Sequence, residues 1–300
     1  MEAIPASPVA VQLRMWWEMT RPRVLLLVLF TGLPVFGLVE GQLPSLSRMW
    51  WVIFGTALAG AASSTLNAYL ERETDAQMAR TQRRPLPAAA VQPSHALAIG
   101  LILALASTAV LFAVGGPFAA AVGVTTILFY VFVYTLWLKP RTPQNIVIGG
   151  AAGATAPLIA EAALSGQLTW ASWVLFLIIF LWTPPHFWAL AIYRKDEYAS
   201  AGFPMMPNVV GDAATRRQSM VYALLLLATT LSPLPLGMLG ALYGVTALGA
   251  GTWFAWRVYR SILVADPVVD YGVFRASIQY LFLLFGAMLA DIVLRGVLAG

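Results

Sequence analysis

Between residues 67 and 87 the chain reads Asn67-Ala-Tyr-Leu-Glu71-Arg-Glu73-Thr-Asp75-Ala-Gln-Met78-Ala-Arg80-Thr81-Gln-Arg83-Arg84-Pro85-Leu-Pro87. Asn67, Glu71 and Asp75 recur every fourth residue, so a helix carried through them sets three oxygen-bearing side chains along one face, drifting by about 80° over two turns. Mg²⁺ is usually held by one or two carboxylates together with phosphate oxygens and water, so such a ladder suits a metal-bound diphosphate better than a metal alone. Arg80, Arg83 and Arg84 follow within a few turns and offer bidentate charge for the remaining phosphate oxygens. Pro85 and Pro87 then stop the chain. A solvated loop with anchoring arginines is the plainer reading. The interleaving of acids and bases and the shared face of the three ladder residues argue against it.

A second concentration runs from Trp182-Thr183-Pro184-Pro185-His186-Phe187-Trp188 through Tyr193-Arg194-Lys195-Asp196-Glu197-Tyr198, with Asp212, Thr215, Arg216 and Arg217 beyond. Paired prolines inside an apolar segment predict a break or kink and freed carbonyls, tolerated at membrane depth where they meet protein or a cavity. A cavity is therefore expected near His186, which reads equally as a hydrogen-bonded packing residue or an iron ligand. The cations Arg194, Lys195, Arg216 and Arg217 lie in the adjoining loop. The basic turn Lys139-Pro140-Arg141 opens a segment whose small residues Gly149, Gly150 and Gly153 predict close helix packing. Glu161 is expected near the opposite interface without a catalytic role.

The elements that must position these residues are membrane helices. Of 300 residues 60% are hydrophobic and 10% charged, with mean hydropathy +0.77, which excludes a soluble enzyme. Apolar runs predict an all-α, polytopic bundle of about nine spans, at residues 24–39, 49–70, 95–115, 117–138, 145–164, 170–193, 219–239, 241–257 and 276–297. Long polar connections after the second and sixth spans suggest two four-helix halves plus one extra helix around a central cavity. Of the 18 basic residues, 16 fall on one side and Arg48 and Arg295 on the other. That asymmetry puts residues 1–23 in the cytoplasm as an N-terminal segment and sets the C-terminus across the bilayer; residues 24–297 are expected to form a single integral-membrane domain in a cell (inner or plasma) membrane. The first apolar run lacks a cleavage pattern and is expected to be retained. Trp16, Trp17, Trp50 and Trp51 are expected at the interface. The basic excess is accounted for by topology, so no nucleic-acid partner is expected. With no cysteine, a disulfide scaffold, a thiolate metal site and covalent c-type haem attachment are excluded.

Residues 67–85 resemble the acidic first motif of the UbiA superfamily of intramembrane prenyltransferases. Met78-Ala-Arg80-Thr81-x-x-Arg84-Pro85, Thr142-Pro-Gln-Asn145-Ile-Val-Ile-Gly-Gly150, Leu181 through Tyr198 and Gly202-Phe-Pro-Met-Met-Pro207 are similar to its haem-farnesylating branch. The likeness runs from about residue 20 to residue 290. It implies a helical bundle, Mg²⁺ as cofactor, and transfer of a farnesyl group from farnesyl diphosphate to a vinyl group of haem b with addition of water. Asn67, Glu71 and Asp75 carry over as catalytic and metal-binding residues, with Arg80 and Arg84 on the diphosphate. Lys139 and Arg194 are expected as further diphosphate cations, Asp196 as a metal ligand from the second loop, and His186, Arg216 and Arg217 toward haem. The partners implied are farnesyl diphosphate, haem b, the lipid bilayer, and haem A synthase or oxidase assembly factors. Two departures stand out: Glu71 occupies a position usually held by Asp, and Asp196-Glu197 stands where a D-x-x-x-D pair is common. The competing readings are a prenyltransferase for a phenolic acid or quinone precursor, and a small-molecule transporter. Charges almost confined to one side disfavour the transporter.

Overall fold

The computed structural model describes residues 8–39 and 44–299. In chain order the helices are α1 (Pro8–Met19), α2 (Pro22–Gly32), α3 (Val35–Leu38), α4 (Leu46–Leu70), α5 (Arg72–Asp75), α6 (Pro93–Leu128) with a π-helical continuation (Phe129–Leu138), α7 (Asn145–Gly153), α8 (Ala156–Ser165), α9 (Trp170–Tyr193), α10 (Lys195–Ser200), α11 (Met206–Val210), α12 (Asp212–Leu231), α13 (Ala241–Val264) and α14 (Pro267–Ala299). No strand occurs among the described residues. Among the described residues, five stretches are long and apolar enough to cross a bilayer: Leu46–Leu70, Pro93–Leu138, Asn145–Ser165, Trp170–Tyr193 and Pro267–Val297. The bent pair Gln12–Met19 and Pro22–Leu38 makes a sixth if counted as one span. The chain is a multi-pass membrane protein.

Local chemistry sets the bends. Arg21 adopts a left-handed backbone (φ 52°) just before Pro22 opens α2, and the two limbs meet at 49°. Within α6, Gly116 at φ 72° precedes Pro117 and interrupts the helical path, a conformation that glycine adopts without a Cβ clash. Of the break or kink expected at Pro184 and Pro185, the break does not occur, because α9 runs unbroken from Trp170 to Tyr193. The carbonyls of Phe180 and Leu181 lose their helical donors, while rings packed along the helix hold its course: Phe176 on Phe180 and Trp182 on His186. Boundaries also move. The expected span 219–239 is a helix at Asp212–Leu231, ended before Pro233, and 241–257 extends to Val264.

The bundle closes on itself where Phe30 of α2 meets Phe282 of α14, ring centroids 5.2 Å apart. Close approach is secured at two of the three expected glycines: a Cβ on Gly149 of α7 would run into the Tyr134 ring and one on Gly150 into Thr183, whereas Gly153 faces open space. At the end away from the charged loops, buried Glu161 accepts from the Thr169 amide (2.9 Å) and hydroxyl (2.6 Å), and from the Ser172 hydroxyl. It thereby satisfies the orphan donors where α9 begins. Asp291 of α14 does the same for α13, accepting from Gly240 (2.6 Å) and Tyr243 (3.3 Å) amides.

Candidate active site

The opposite end is built differently. α4 ends at Leu70, Glu71 is its cap, and α5 adds one more turn. The amides of Glu71 and Asp75 still bond to the carbonyls four residues back, at 2.9 and 2.7 Å, so the fourfold spacing survives the change of helix. Asn67, Glu71 and Asp75 are all buried, whereas Glu73 points outward beside Arg72. The shared face expected of the ladder is therefore present.

Each rung meets a cation from a different element. Arg21, at the α1–α2 bend, donates to Asn67 Oδ1 at 2.7 Å. Lys139, just past the π-helical segment, donates to Glu71 Oε1 and lies over the Phe203 ring at 4.8 Å. Arg84 donates to Asp75 Oδ2 at 2.8 Å. Asn67 Nδ2 donates in turn to Thr135 Oγ1, 3.1 Å away. Thr135 sits in the π-helical stretch with Tyr130 and Tyr134, whose rings lie 5.2 Å apart. π-Helical insertions are frequent at functional sites because they re-aim side chains.

The electrostatics favour an anion. Burial lowers the proton affinity of Lys139 more than Glu71 restores it. Arg84 is lowered by burial and then by the neighbouring charge of Arg21. Burial opposes the charge on Arg21, but Tyr130, Glu71, Asp75 and Tyr134 together raise its affinity above the usual arginine value. Three cations crowd two carboxylates. A prenyl diphosphate adds about three negative charges and Mg²⁺ two positive ones, bringing the assembly near neutrality. Hard oxygens from Glu71, Asp75 and Asn67 fit Mg²⁺. No three acid or histidine groups converge as a ready cage among the described residues, so phosphate and water oxygens would complete its coordination.

Loop two reaches this patch through Glu197. Its carboxylate accepts from the Arg80 amide (3.1 Å) and from Arg194 Nη1 (3.0 Å). Burial alone would raise the Glu197 carboxyl, but the hydrogen bonds and charges of Arg194 and Arg80 hold it below the usual range. Met78 of loop one packs in one apolar cluster with Trp188, Phe203, Met205 and Met206 beneath this contact.

Several expected site residues are not brought together. Asp196 is exposed, and Glu197 is the acid that faces loop one. Lys195 pairs with Asp212 at 2.8 Å. Arg216 is buried in a forked pair with Asp270 of α14, Nη2 to Oδ2 at 2.6 Å, which ties helix ends together, while Arg217 is exposed. His186 is buried and stacked between Trp182 (4.2 Å) and Phe274 (4.7 Å), with Nδ1 2.6 Å from Ser277 Oγ. These rings cover both faces of the imidazole. An apolar crevice lies elsewhere, lined by Leu29, Gly32, Phe36, Val52, Thr56 and Ala160. Sequence alone does not single out Arg21 for this patch, because its positive charge fits membrane anchoring equally well. The preceding-proline context of Arg21-Pro22 was the available signal.

A membrane bundle with a buried, cation-lined acidic ladder at one end defines an intramembrane enzyme that handles an anionic head group on an apolar tail. The chain belongs to the UbiA prenyltransferase family, whose model matches residues 27–293. Protoheme IX farnesyltransferase 2 of Mesorhizobium japonicum is 44% identical over 291 residues, covering 95% of this chain and 91% of that protein. Among solved structures, a digeranylgeranylglyceryl phosphate synthase superposes with TM-score 0.79 at 15% identity, covering 94% of this chain and 98% of that one. A UbiA homolog from Archaeoglobus fulgidus bound to GPP and Mg²⁺ gives TM-score 0.68 at 13% identity, covering 91% and 99%.

Proposed function

We propose that this protein transfers a farnesyl group from farnesyl diphosphate to a vinyl group of haem b, with addition of water, to give haem O. The observation that carries the reading is the buried ladder with one cation on each rung: Arg21 on Asn67, Lys139 on Glu71 and Arg84 on Asp75. The M. japonicum relative carries the acceptor in its name, and the A. fulgidus structure holds a prenyl diphosphate with Mg²⁺.

Arg21, Lys139 and Arg84 bind the diphosphate and stabilise its departure, since donors fixed before the reaction need no reorganisation as charge develops on the leaving oxygen. Arg80 and Arg194, held by Glu197, close the entrance over it. Glu71, Asp75 and Asn67 would hold Mg²⁺, which supplies Lewis-acid neutralisation of the leaving phosphate oxygens. The allylic C–O bond breaks with its electron pair leaving on diphosphate, and the vinyl π bond of the acceptor takes up the prenyl carbon. The new porphyrin-side cation adds water, which loses a proton to become the hydroxyl. Tyr130 and Tyr134 lie beside the head-group patch, where their rings would shield the allylic cation from water. With Arg216 committed to Asp270, Arg217, which is exposed, would meet a haem propionate.

This reading places nine spans in the membrane as one domain over residues 24–297, with the charged loops and N-terminus cytoplasmic and the C-terminus opposite. Two measurements test it. Membranes containing the protein, given haem b, farnesyl diphosphate and Mg²⁺, should yield haem with one farnesyl and one hydroxyl group, and ¹⁸O from labelled water should appear in the product mass. Prenylation of a phenolic acid with haem unmodified would reassign the acceptor. A cysteine placed at exposed Gln82 should react with an impermeant maleimide from the cytoplasmic face only, and one at Gly166 from the other face only.

A further inference from the structure

His186 and Ser277 sit 91 residues apart, on α9 and α14, with Nδ1 and Oγ at 2.6 Å. Ser277 Oγ also lies 2.6 Å from the Phe274 carbonyl oxygen. A carbonyl can only accept, and a serine hydroxyl has a single proton, so that proton goes to Phe274. Ser277 Oγ must then accept from the ring, which makes Nδ1 the protonated nitrogen. A charged ring would be costly in this apolar setting without a counter-ion, and among the described residues no carboxylate pairs with it. The ring is therefore neutral, and Nε2 carries the lone pair.

The ring also cannot readily turn to exchange its nitrogens. Its faces are covered by Trp182 and Phe274, and the Phe187 ring abuts it edge-on at 5.1 Å. Trp182 is pinned through Nε1 to the carbonyl oxygen of Ser277 itself, at 2.8 Å. One residue of α14 thus fixes both the ring and the platform beneath it. Nε2 forms no hydrogen bond with a described residue although the side chain is nine-tenths buried.

We infer that Ser277 is a positioning residue that holds His186 in the Nδ1–H form and so offers the Nε2 lone pair to the iron of a haem acceptor. A metal-bound imidazole typically donates its other N–H to a fixed acceptor, which sets the tautomer and raises the basicity of the ligating nitrogen. Here Ser277 is that acceptor, itself oriented by the Phe274 carbonyl. The iron half of the inference rests on the proposed acceptor, whereas the tautomer half does not.

The chain has two histidines, and His95 is exposed at the start of α6. In the H95Q background, full-length protein with ¹⁵N-labelled histidine in nanodiscs therefore reports His186 alone. Two-bond ¹⁵N–¹H correlations should show Nδ1 protonated and Nε2 bare, and S277A should move the population toward Nε2–H. On titration with haem b, S277A should weaken binding by about tenfold or more and alter the absorption band of the bound haem, as for other changes behind a ligating histidine. S277T, which keeps the hydroxyl, should restore both, with farnesyl diphosphate binding unchanged throughout. An Nε2–H ring in the otherwise unmodified H95Q chain would overturn the inference whether or not S277A folds. Unaltered haem affinity and spectrum in folded S277A would overturn the iron half. If the Nδ1–H form is seen but haem leaves the spectrum unchanged in the H95Q chain, the haem acceptor falls while the hold of Ser277 on the ring stands.

Discussion

Buried carboxylates lie at both ends of this bundle, and they are satisfied in opposite ways. At one end Glu161 and Asp291 accept from backbone amides and hydroxyls at the starts of α9 and α13. These are neutral donors fixed by the helices themselves, so the carboxylates complete the fold. At the other end Glu71 and Asp75 are met by Lys139 and Arg84, long charged side chains from separate elements. Such partners can be exchanged for a metal ion and a phosphate without unwinding a helix. The difference separates acids that complete helix starts from acids whose partners a ligand can replace, although the buried Arg216–Asp270 pair, which ties α12 to α14, shows that a cation partner alone does not mark a site.

The largest test of this contrast is Asp75→Asn against Glu161→Gln. Asp75→Asn should cut turnover by about 10²-fold or more, the scale of an electrostatic contribution of a few kcal/mol, and leave the thermal unfolding midpoint nearly unmoved. Glu161→Gln should do the reverse, costing about 1–3 kcal/mol of stability through imperfectly matched buried donors, with turnover per folded molecule retained. If Glu161→Gln abolished turnover and Asp75→Asn unfolded the protein, the contrast would be wrong.

Arg21→Gln removes the cation from the Asn67 rung and relieves a left-handed non-glycine residue of none of its strain. It should raise KM for the prenyl diphosphate by roughly 10-fold or more, as loss of a charge-assisted hydrogen bond implies, and an unchanged KM would remove Arg21 from the site. A smaller effect is expected in the pH profile. Because burial depresses the Lys139 proton affinity, its ammonium is lost at a lower pH than for an ordinary lysine, and activity should fall as pH rises through that value. Lys139→Arg keeps its charge, so the alkaline limb should move upward. The smallest effect belongs to Glu73→Gln, whose carboxylate is exposed off the ladder face; kcat/KM should change by less than about twofold.

The ladder was legible because a helical period is written in sequence: spacing alone put Asn67, Glu71 and Asp75 on one face and Glu73 off it. Its counter-charges were only partly legible. Arg84 is close in sequence and was found, whereas Arg21 lies 46 residues from Asn67 and its charge is indistinguishable from an anchoring arginine. Arg216 was assigned to haem because nothing local shows Asp270, 54 residues away. Asp196 and Glu197 are adjacent acids, and which one turns toward loop one depends on how α10 docks. Pro184 and Pro185 read as a break or kink, yet α9 continues through them with Trp182 and Phe274 stacked on His186.

By itself the sequence determined an all-helical membrane protein, the clustering of charge at one end of its helices, and the acidic face shared by Asn67, Glu71 and Asp75. Those follow from hydrophobic length, charge asymmetry and a fourfold spacing, which are properties of neighbours along the chain. The tertiary structure alone decided that Arg21 sits on Asn67 and Lys139 on Glu71, that Glu197 bridges Arg80 and Arg194, and that Ser277 meets His186. Each of these joins residues from different elements. Such pairings depend on how helices dock, and docking is set by side-chain packing over the whole bundle, as where Gly149 admits the Tyr134 ring.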